Sequence, residues 1–162
     1  AKALLRRSAN MYEDKVKQLG FEVPQLAAPV ANYAPSVVED GWIYISGQLP
    51  MVDGKLAYTG KVGQDLDLEQ GYAAAQVCAL NCLGAIKQAL GSLDRIERIV
   101  KISGFVNSAP DFTDQPKVVN GASDLLGKVF GSCGVHARSA VGVAALPLGA
   151  CCEVELIAKI KA

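Results

Sequence analysis

The chain has 162 residues, 51% of them apolar and 20% charged, which is enough for one globular domain with a hydrophobic core and too few to expect two. Its 16 basic residues balance its 16 acidic residues, and this neutrality argues against a surface that attracts nucleic acid or an anionic membrane. The sequence shows no apolar run of transmembrane length and no signal-peptide pattern, so we expect a cytoplasmic location.

The apolar pattern first predicts a short amphipathic helix, because Tyr12, Val16 and Leu19 recur at helical spacing before Gly20. After a loop rich in proline and alanine, aromatic and β-branched residues predict strands, and two longer segments have helical periodicity. In chain order we predict strands at 41–50 and 55–60, a helix at 67–90, a strand at 96–108, a helix at 115–130, and two strands within 137–162.

Local signals mark two of these boundaries. Asp53-Gly54 predicts a turn between the first two strands. Asp67 and Gln70 make a capping-box-like pair at the start of the first long helix, and Gly91 follows its end.

The two C-terminal strands meet across residues 146–149 (Leu-Pro-Leu-Gly), which predicts a hairpin or a similarly tight connection. No internal repeat or low-complexity linker interrupts the order of elements. This order predicts an α+β fold in which two helices pack on one face of a sheet.

The cysteines are odd in number and match no zinc spacing, so we expect free thiols: Cys78, Cys82, Cys133, Cys151 and Cys152. Cys78 and Cys82 share one helix face, which favours two buried small residues over a metal site because no further ligand pair accompanies them. Cys151 and Cys152 are neighbours in a predicted strand, so we expect their side chains on opposite faces.

Few residues offer catalytic chemistry, because no phosphate-binding glycine loop, zinc signature or nucleophile elbow is present. His136 is the single histidine, and a lone histidine at a strand entry is more often structural or solvent-facing than a base. Ser132 and Ser139, the serines nearest to it in sequence, have no stronger claim.

Arg138 begins a predicted strand in which every second residue after it is alanine or glycine. Such a row leaves space beside a guanidinium, whose paired donors fit a carboxylate in bidentate geometry. The alternative is a structural salt bridge to Glu153 or Glu155. These two glutamates lie two apart on the last strand, so they share a face, while Val154 and Leu156 line the other. One glutamate could hold a water molecule.

The string RSAVGVAALP at 138–147, followed by Glu-Val-Glu at 153–155, resembles the C-terminal signature of the Rid family, also called YjgF or endoribonuclease L-PSP. Ser46-Gly47-Gln48, Tyr33 and Val119-Asn120 lie where that family has ligand-site residues. The match covers residues 27–162 as one domain and leaves residues 1–26 as an N-terminal helical extension.

The resemblance implies a chorismate-mutase-like mixed sheet, a homotrimer with ligand clefts between subunits, and no metal or organic cofactor. It implies hydrolysis of small carboxylate-bearing enamines or imines, such as 2-aminoacrylate, to 2-keto acids and ammonia. Arg138 would bind the carboxylate and Glu153 would orient the attacking water. The other implied contacts line the cleft or, for Ala140, donate a backbone N–H: Tyr33, Ser46, Gly47, Asn120 and Ala140.

Two positions depart from the resembled family, since Ala140 replaces a frequent cysteine and Asn32 replaces a proline. They indicate a subgroup whose substrate can differ from that of the resembled family. The second hypothesis is a non-catalytic keto-acid binder with a regulatory or protective role. Neutral charge argues against the third hypothesis, a ribonuclease.

The predicted hairpin also sets a distance. If it turns near Leu148, Glu153 lies opposite Ala144, and about 20 Å separate it from Arg138 at ~3.3 Å per residue. A shared small ligand then requires that the two residues come from different subunits.

Overall fold

The computed structural model describes residues 10–27 and 32–162. The elements are α1 (Met11–Gln18), β1 (Ser36–Glu39), β2 (Trp42–Gln48), β3 (Met51–Val52), β4 (Lys55–Leu56), α2 (Leu68–Leu90), β5 (Ile96–Asn107), α3 (Gln115–Phe130), β6 (Ala137–Val143) and β7 (Cys152–Ile160). Five strands form a sheet in the order β1-β2-β7-β5-β6, in which β5 and β6 are parallel and the other neighbouring pairs are antiparallel. Helices α2 and α3 pack on one face of this sheet.

The predicted α+β class is confirmed, and α2 forms where its caps predict. The Asp67 side chain accepts from the Gln70 backbone N–H, and the Gln70 side chain accepts from the Asp67 N–H, which together make a capping box. Gly91 ends the helix in the left-handed conformation, with φ of 84°. The buried face of α2 packs on β2 and β7, so these helix ends fix the helix over the centre of the sheet.

The predicted C-terminal hairpin is wrong, because β5 lies between β6 and β7. The chain leaves β5, crosses over through α3 and returns as β6 parallel to β5, as a helical crossover requires. The connection from β6 to β7 passes over the end of β5. There Lys61 Nζ donates to the Ala144 carbonyl at 2.7 Å, and the Asn107 side-chain amide donates to the Ala150 carbonyl at 3.2 Å.

Helix α1 packs against the rest of the chain. Val16 is fully buried, and Glu13 Oε1 accepts from the Leu93 backbone N–H at 2.6 Å. The ring of Tyr12 lies 4.6 Å from that of Phe130. The part of the predicted first helix before residue 10, and residues 28–31 of the predicted loop, lie outside the described residues; the boundary at residues 26 and 27 stays a prediction.

All five cysteines are free thiols, and the interpretation of Cys78 and Cys82 as buried core residues is confirmed, since both are fully buried. Cys78 Sγ lies 3.5 Å from Cys152 Sγ across the interface of α2 and β7. Cys151 lies just before β7 and is buried as deeply as Cys152. The predicted alternation of Cys151 and Cys152 across a strand therefore does not apply.

The face of the sheet away from α2 and α3 has no helix on it in the described part of the chain. Tyr44 on β2 and Val141 on β6 are 45% and 44% exposed on this open face. A shallow cavity of about 180 Å³ lies there, lined in part by Tyr44, Ser103 and Glu155. Within residues 10–27 and 32–162, no helix is long and apolar enough to cross a membrane.

Candidate functional site

Arg138 lies on β6, an edge strand of the sheet, and its side chain extends toward α3. Its Nη1 donates to Asn120 Oδ1 at 2.8 Å and to Ser123 Oγ at 3.1 Å. Asn120 and Ser123 are three apart on α3, which places both on one helix face. The structure therefore brings Arg138 and Asn120 together, as the resemblance implies.

The guanidinium of Arg138 has neutral partners. Among the described residues it makes no ion pair, so the alternative of a structural salt bridge to Glu153 or Glu155 is wrong. Its two hydrogen bonds use the two hydrogens of Nη1, and the Nη2 and Nε donors have no hydrogen-bond partner within residues 10–27 and 32–162. An arginine presents five donors in a planar fork, so three remain available to a ligand.

The small residues that follow Arg138 have different roles. Ala140 is partly buried and packs against the hydrophobic core below α3. At Gly142, a Cβ would lie 2.8 Å from both Gln115 Nε2 and Ser108 Oγ, so a larger residue would displace these side chains at the start of α3. The predicted free space beside the guanidinium therefore does not extend along the whole strand.

Sequence reasoning missed Ser123 and gave His136 little weight. Ser123 Oγ lies 2.9 Å from His136 Nε2, and His136 Nδ1 lies 2.6 Å from the Gly134 carbonyl oxygen. The serines that are nearest in sequence, Ser132 and Ser139, are not in this network. The helical spacing from Asn120 to Ser123 was the available signal.

Glu153 lies on β7 and faces the opposite side of the sheet from Arg138. Its neighbours Cys152 and Val154 are buried toward α2, so the intervening Glu153 faces away from the helices. Glu155 shares this open face and Leu156 is buried, which confirms the predicted alternation of the last strand. The carboxylate of Glu153 rests against Gly47 of β2, where a Cβ would overlap Glu153 Oε1.

The environment of Glu153 favours its protonated form. Partial burial raises the pKa of the Glu153 carboxyl, and the negative charge of Glu155 raises this pKa further. A carboxyl group with a raised pKa can exchange a proton closer to neutral pH than an ordinary glutamate can.

Ser46 and Tyr33 lie near the same end of β2. Ser46 Oγ donates to the Ala34 carbonyl at 2.6 Å, and the Ser46 backbone N–H donates to the Pro35 carbonyl at 3.0 Å. These bonds fix the segment that carries Tyr33, whose side chain is 59% exposed. The pairing of β2 with β7 shifts register between Ile45 and Gln48, so Ser46 and Gly47 lie in an irregular part of the strand.

The structure thus divides the predicted site residues into two groups. The Arg138 group consists of Arg138, Asn120 and Ala140; the Glu153 group consists of Glu153, Gly47, Ser46 and Tyr33. Because Glu153 pairs with Phe105, and Phe105 with Val141, the Cα atoms of Arg138 and Glu153 lie two strands and three residues apart. This corresponds to about 14 Å, rather than the 20 Å that the hairpin predicted. Their side chains also project from opposite faces.

Comparison with known proteins gives consistent matches over nearly the whole chain. A family model described as "YjgF/chorismate mutase-like, putative endoribonuclease" matches residues 13–160. Protein TCP17 of Trypanosoma cruzi is 47% identical over 146 residues, which is 90% of this chain and 91% of that protein. The sequence therefore has relatives of nearly equal length.

Two solved structures have the same fold. Protein Atu1372 of Agrobacterium tumefaciens, of unknown function, has a TM-score of 0.87 at 44% identity, over 94% of this chain and 93% of that one. A structure from Shewanella oneidensis, with the same endoribonuclease description, has a TM-score of 0.90 at 37% identity, over 93% of this chain and 100% of the other. The site and the fold define an α+β protein with a chorismate-mutase-like sheet. The chain belongs to the YjgF/chorismate mutase-like family, which confirms the resemblance to the Rid family.

Proposed function

We propose that this protein hydrolyses small carboxylate-bearing enamines or imines to 2-keto acids and ammonia, at sites formed between copies of the chain. The observation that carries the proposal is that Arg138 has unused hydrogen-bond donors and no charged partner. It is a partly buried cation with no ion pair in the described structure, and its Nη1 is held by Asn120 and Ser123. Three donors are left for a carboxylate, an anion that the arginine fork can bind in bidentate geometry.

The reaction needs little more than a bound substrate and a positioned water, because an iminium carbon is already electrophilic. An enamine first takes a proton from solvent at its terminal carbon and becomes a protonated imine. Glu153 takes a proton from water as the water oxygen bonds to the carbon of the protonated imine, whose π electrons move to nitrogen to give a carbinolamine. Glu153 then returns this proton to the amino nitrogen, the carbon–nitrogen bond breaks, and ammonia leaves with the bonding electrons. The hydroxyl gives up its proton to solvent as the carbonyl of the 2-keto acid forms. The raised pKa of Glu153 supports this exchange of protons.

Assembly follows from the separation of the two groups. A small substrate cannot reach from Arg138 to Glu153 within one chain, because about 14 Å and a whole sheet lie between them. A second copy can bring its own Glu153 to Arg138 of the first. The open face of the sheet, with Tyr44 and Val141 exposed, supplies apolar surface for such a contact. We propose a homotrimer, as in the resembled family.

The test measures ammonia and 2-keto acid released from freshly generated 2-aminoacrylate and from larger imino acids, above the spontaneous rate. The wild-type chain should increase the rates of release of both products equally. Arg138→Ala should remove the acceleration, whereas Arg95→Ala, which changes an exposed arginine remote from β6, should retain it. Light scattering on the same samples should give the mass of a trimer.

Two outcomes would contradict the proposal. Wild-type protein that leaves the spontaneous rate unchanged but binds 2-keto acids saturably would favour the non-catalytic binder. Turnover that survives Arg138→Ala would move the reaction to another site.

The endoribonuclease description of the matching family calls for one further assay. Single-stranded RNA is incubated with wild-type protein and with Arg138→Ala and Glu153→Gln. The neutral charge balance predicts no cleavage. Cleavage that persists through repeated purification and disappears in one of the two variants would replace the proposed function.

A further inference from the structure

A chain of hydrogen bonds leads to Arg138 through two side chains that the proposed reaction does not use. His136 Nδ1 lies 2.6 Å from the carbonyl oxygen of Gly134, in the turn that follows α3. His136 Nε2 lies 2.9 Å from Ser123 Oγ, and Ser123 Oγ lies 3.1 Å from Arg138 Nη1.

The Gly134 carbonyl sets the direction of these bonds. A carbonyl oxygen only accepts, so Nδ1 of His136 carries a proton and donates to it. In the neutral imidazole Nε2 is then an acceptor, to which the hydroxyl of Ser123 donates. With its hydrogen committed to His136, the Ser123 oxygen offers a lone pair to the Nη1–H of Arg138.

Close packing holds the Gly134 end of this hydrogen-bond chain in place. Gly134 is buried, and a Cβ at this position would overlap the Leu126 carbonyl oxygen of α3. The backbone of the turn therefore packs directly on α3, and this contact fixes the carbonyl that orients His136.

We propose that Ser123 and His136 are positioning residues that orient the guanidinium of Arg138 for bidentate binding of a substrate carboxylate. Asn120 and Ser123 together engage both hydrogens of Nη1, so a carboxylate meets the edge that carries Nε and Nη2. This edge presents two parallel N–H donors, which match the two oxygens of one planar carboxylate. The inference rests on the proposed function and adds the residues that orient its carboxylate-binding group.

The kinetic test compares Ser123→Ala and His136→Leu with variants that keep the hydrogen-bonding groups, Ser123→Thr and His136→Gln. Loss of the Ser123 acceptor should raise KM for an imino acid about 5- to 20-fold, less than the full contribution of a hydrogen bond to a charged group because Ser123 orients Arg138 and does not touch the substrate, and should change kcat less than about 2-fold. Ser123→Thr should restore most of the affinity, and His136→Gln part of it. Ser132→Ala, an exposed serine in the adjacent turn, is the matched control and should have wild-type KM.

The double variant Ser123→Ala/His136→Leu separates a connected chain from two independent contacts. Because His136 acts only through Ser123, the double variant should have the KM of Ser123→Ala alone. In an Arg138→Ala background, where turnover is lost, neither substitution should change the residual affinity for a 2-keto acid. Additive effects, or equal effects with and without Arg138, would overturn the positioning role.

A measurement without turnover keeps the two proposals distinguishable. In ¹⁵N-labelled protein, a held guanidinium should give separate, slowly exchanging Nη signals for Arg138, and these should merge in Ser123→Ala and His136→Leu but remain in Ser132→Ala. If the wild type shows no turnover, the proposed function fails, and these signals still decide the positioning role. Signals that are the same in the wild type and in Ser123→Ala would overturn the inference.

Discussion

The Arg138 group and the Glu153 group have opposite charge and opposite surroundings. Arg138 is a cation whose partners, Asn120 and Ser123, are uncharged. Glu153 is a carboxyl group whose charged neighbour is another glutamate, Glu155, and whose pKa is raised. Each group lacks the opposite charge that the other holds, and the sheet separates them. Under the proposed function, these groups are two incomplete halves of one site, which association of two chains would join.

The largest expected effect is on stability beside the Arg138 group, at the contact between α3 and α2. A Cβ at Gly121 would overlap the Tyr72 carbonyl oxygen, and neither backbone can move without separating the two helices. Gly121→Ala should therefore lower the free energy of unfolding by about 2–3 kcal/mol, as overpacking of a core does. Chemical denaturation measures this change, and an unchanged midpoint would show that the helices separate easily.

Arg138→Ala should have the largest effect on activity without unfolding the chain. It removes the charged donors, and we expect kcat/KM to fall roughly 10²- to 10³-fold. Arg138→Lys should recover only part of the loss, because an ammonium cannot make the paired contact of a guanidinium. Equal activity in Arg138→Lys and wild type would show that only the charge of Arg138 matters.

Glu153→Gln tests the other group through its pH dependence. Because water activation needs the ionised carboxylate, wild-type activity should fall as the pH decreases through the raised pKa of Glu153. The midpoint of this fall should lie above the pKa of an ordinary glutamate, which is about 4.3. Glu153→Gln should lower kcat by about 10²-fold and remove this limb of the profile. A limb that persists in Glu153→Gln would assign it to a different group.

Gly47→Ala should have the smallest effect of this series and should separate packing from chemistry. The overlapping atom is the end of the flexible Glu153 side chain, which can move aside, unlike the backbone at Gly121. We therefore expect a change in unfolding free energy below about 1 kcal/mol and a loss of kcat of about 10-fold, as the carboxylate is displaced. Comparable losses of stability in Gly47→Ala and Gly121→Ala would remove this distinction.

Local features could be predicted from the sequence because they depend on neighbouring residues. The capping box of Asp67 and Gln70 and the turn at Asp53-Gly54 both formed, the latter joining β3 to β4. The same reasoning missed a second turn of this kind. Asp40-Gly41 has positive φ at both residues and joins β1 to β2, whereas no element was predicted for residues 36–40.

The order of strands could not be predicted from the spacing of the last two. Residues 146–149 form a tight turn in sequence, yet β5 lies between the strands that they connect, because the crossover through α3 places β6 beside β5. The contacts between elements at the candidate site could not be predicted either. Alternation placed Arg138 and Glu153 correctly on their own strands, but the contact of Arg138 with Ser123 depends on how α3 packs on the sheet.

The proposed function requires that Arg138 and Glu153 of different subunits act on one ligand. Inactive Arg138→Ala and Glu153→Gln chains, carrying different tags, are mixed under conditions that exchange subunits, and hybrid oligomers are isolated through both tags. A site with the intact arginine of one subunit and the intact glutamate of its neighbour is then complete, and in a head-to-tail trimer each isolated hybrid has one complete site, about a third of its sites. Recovery of activity in the hybrids, on that order of the wild-type rate, is the predicted result. Hybrids no more active than their parents would show that Arg138 and Glu153 of different subunits do not form one site.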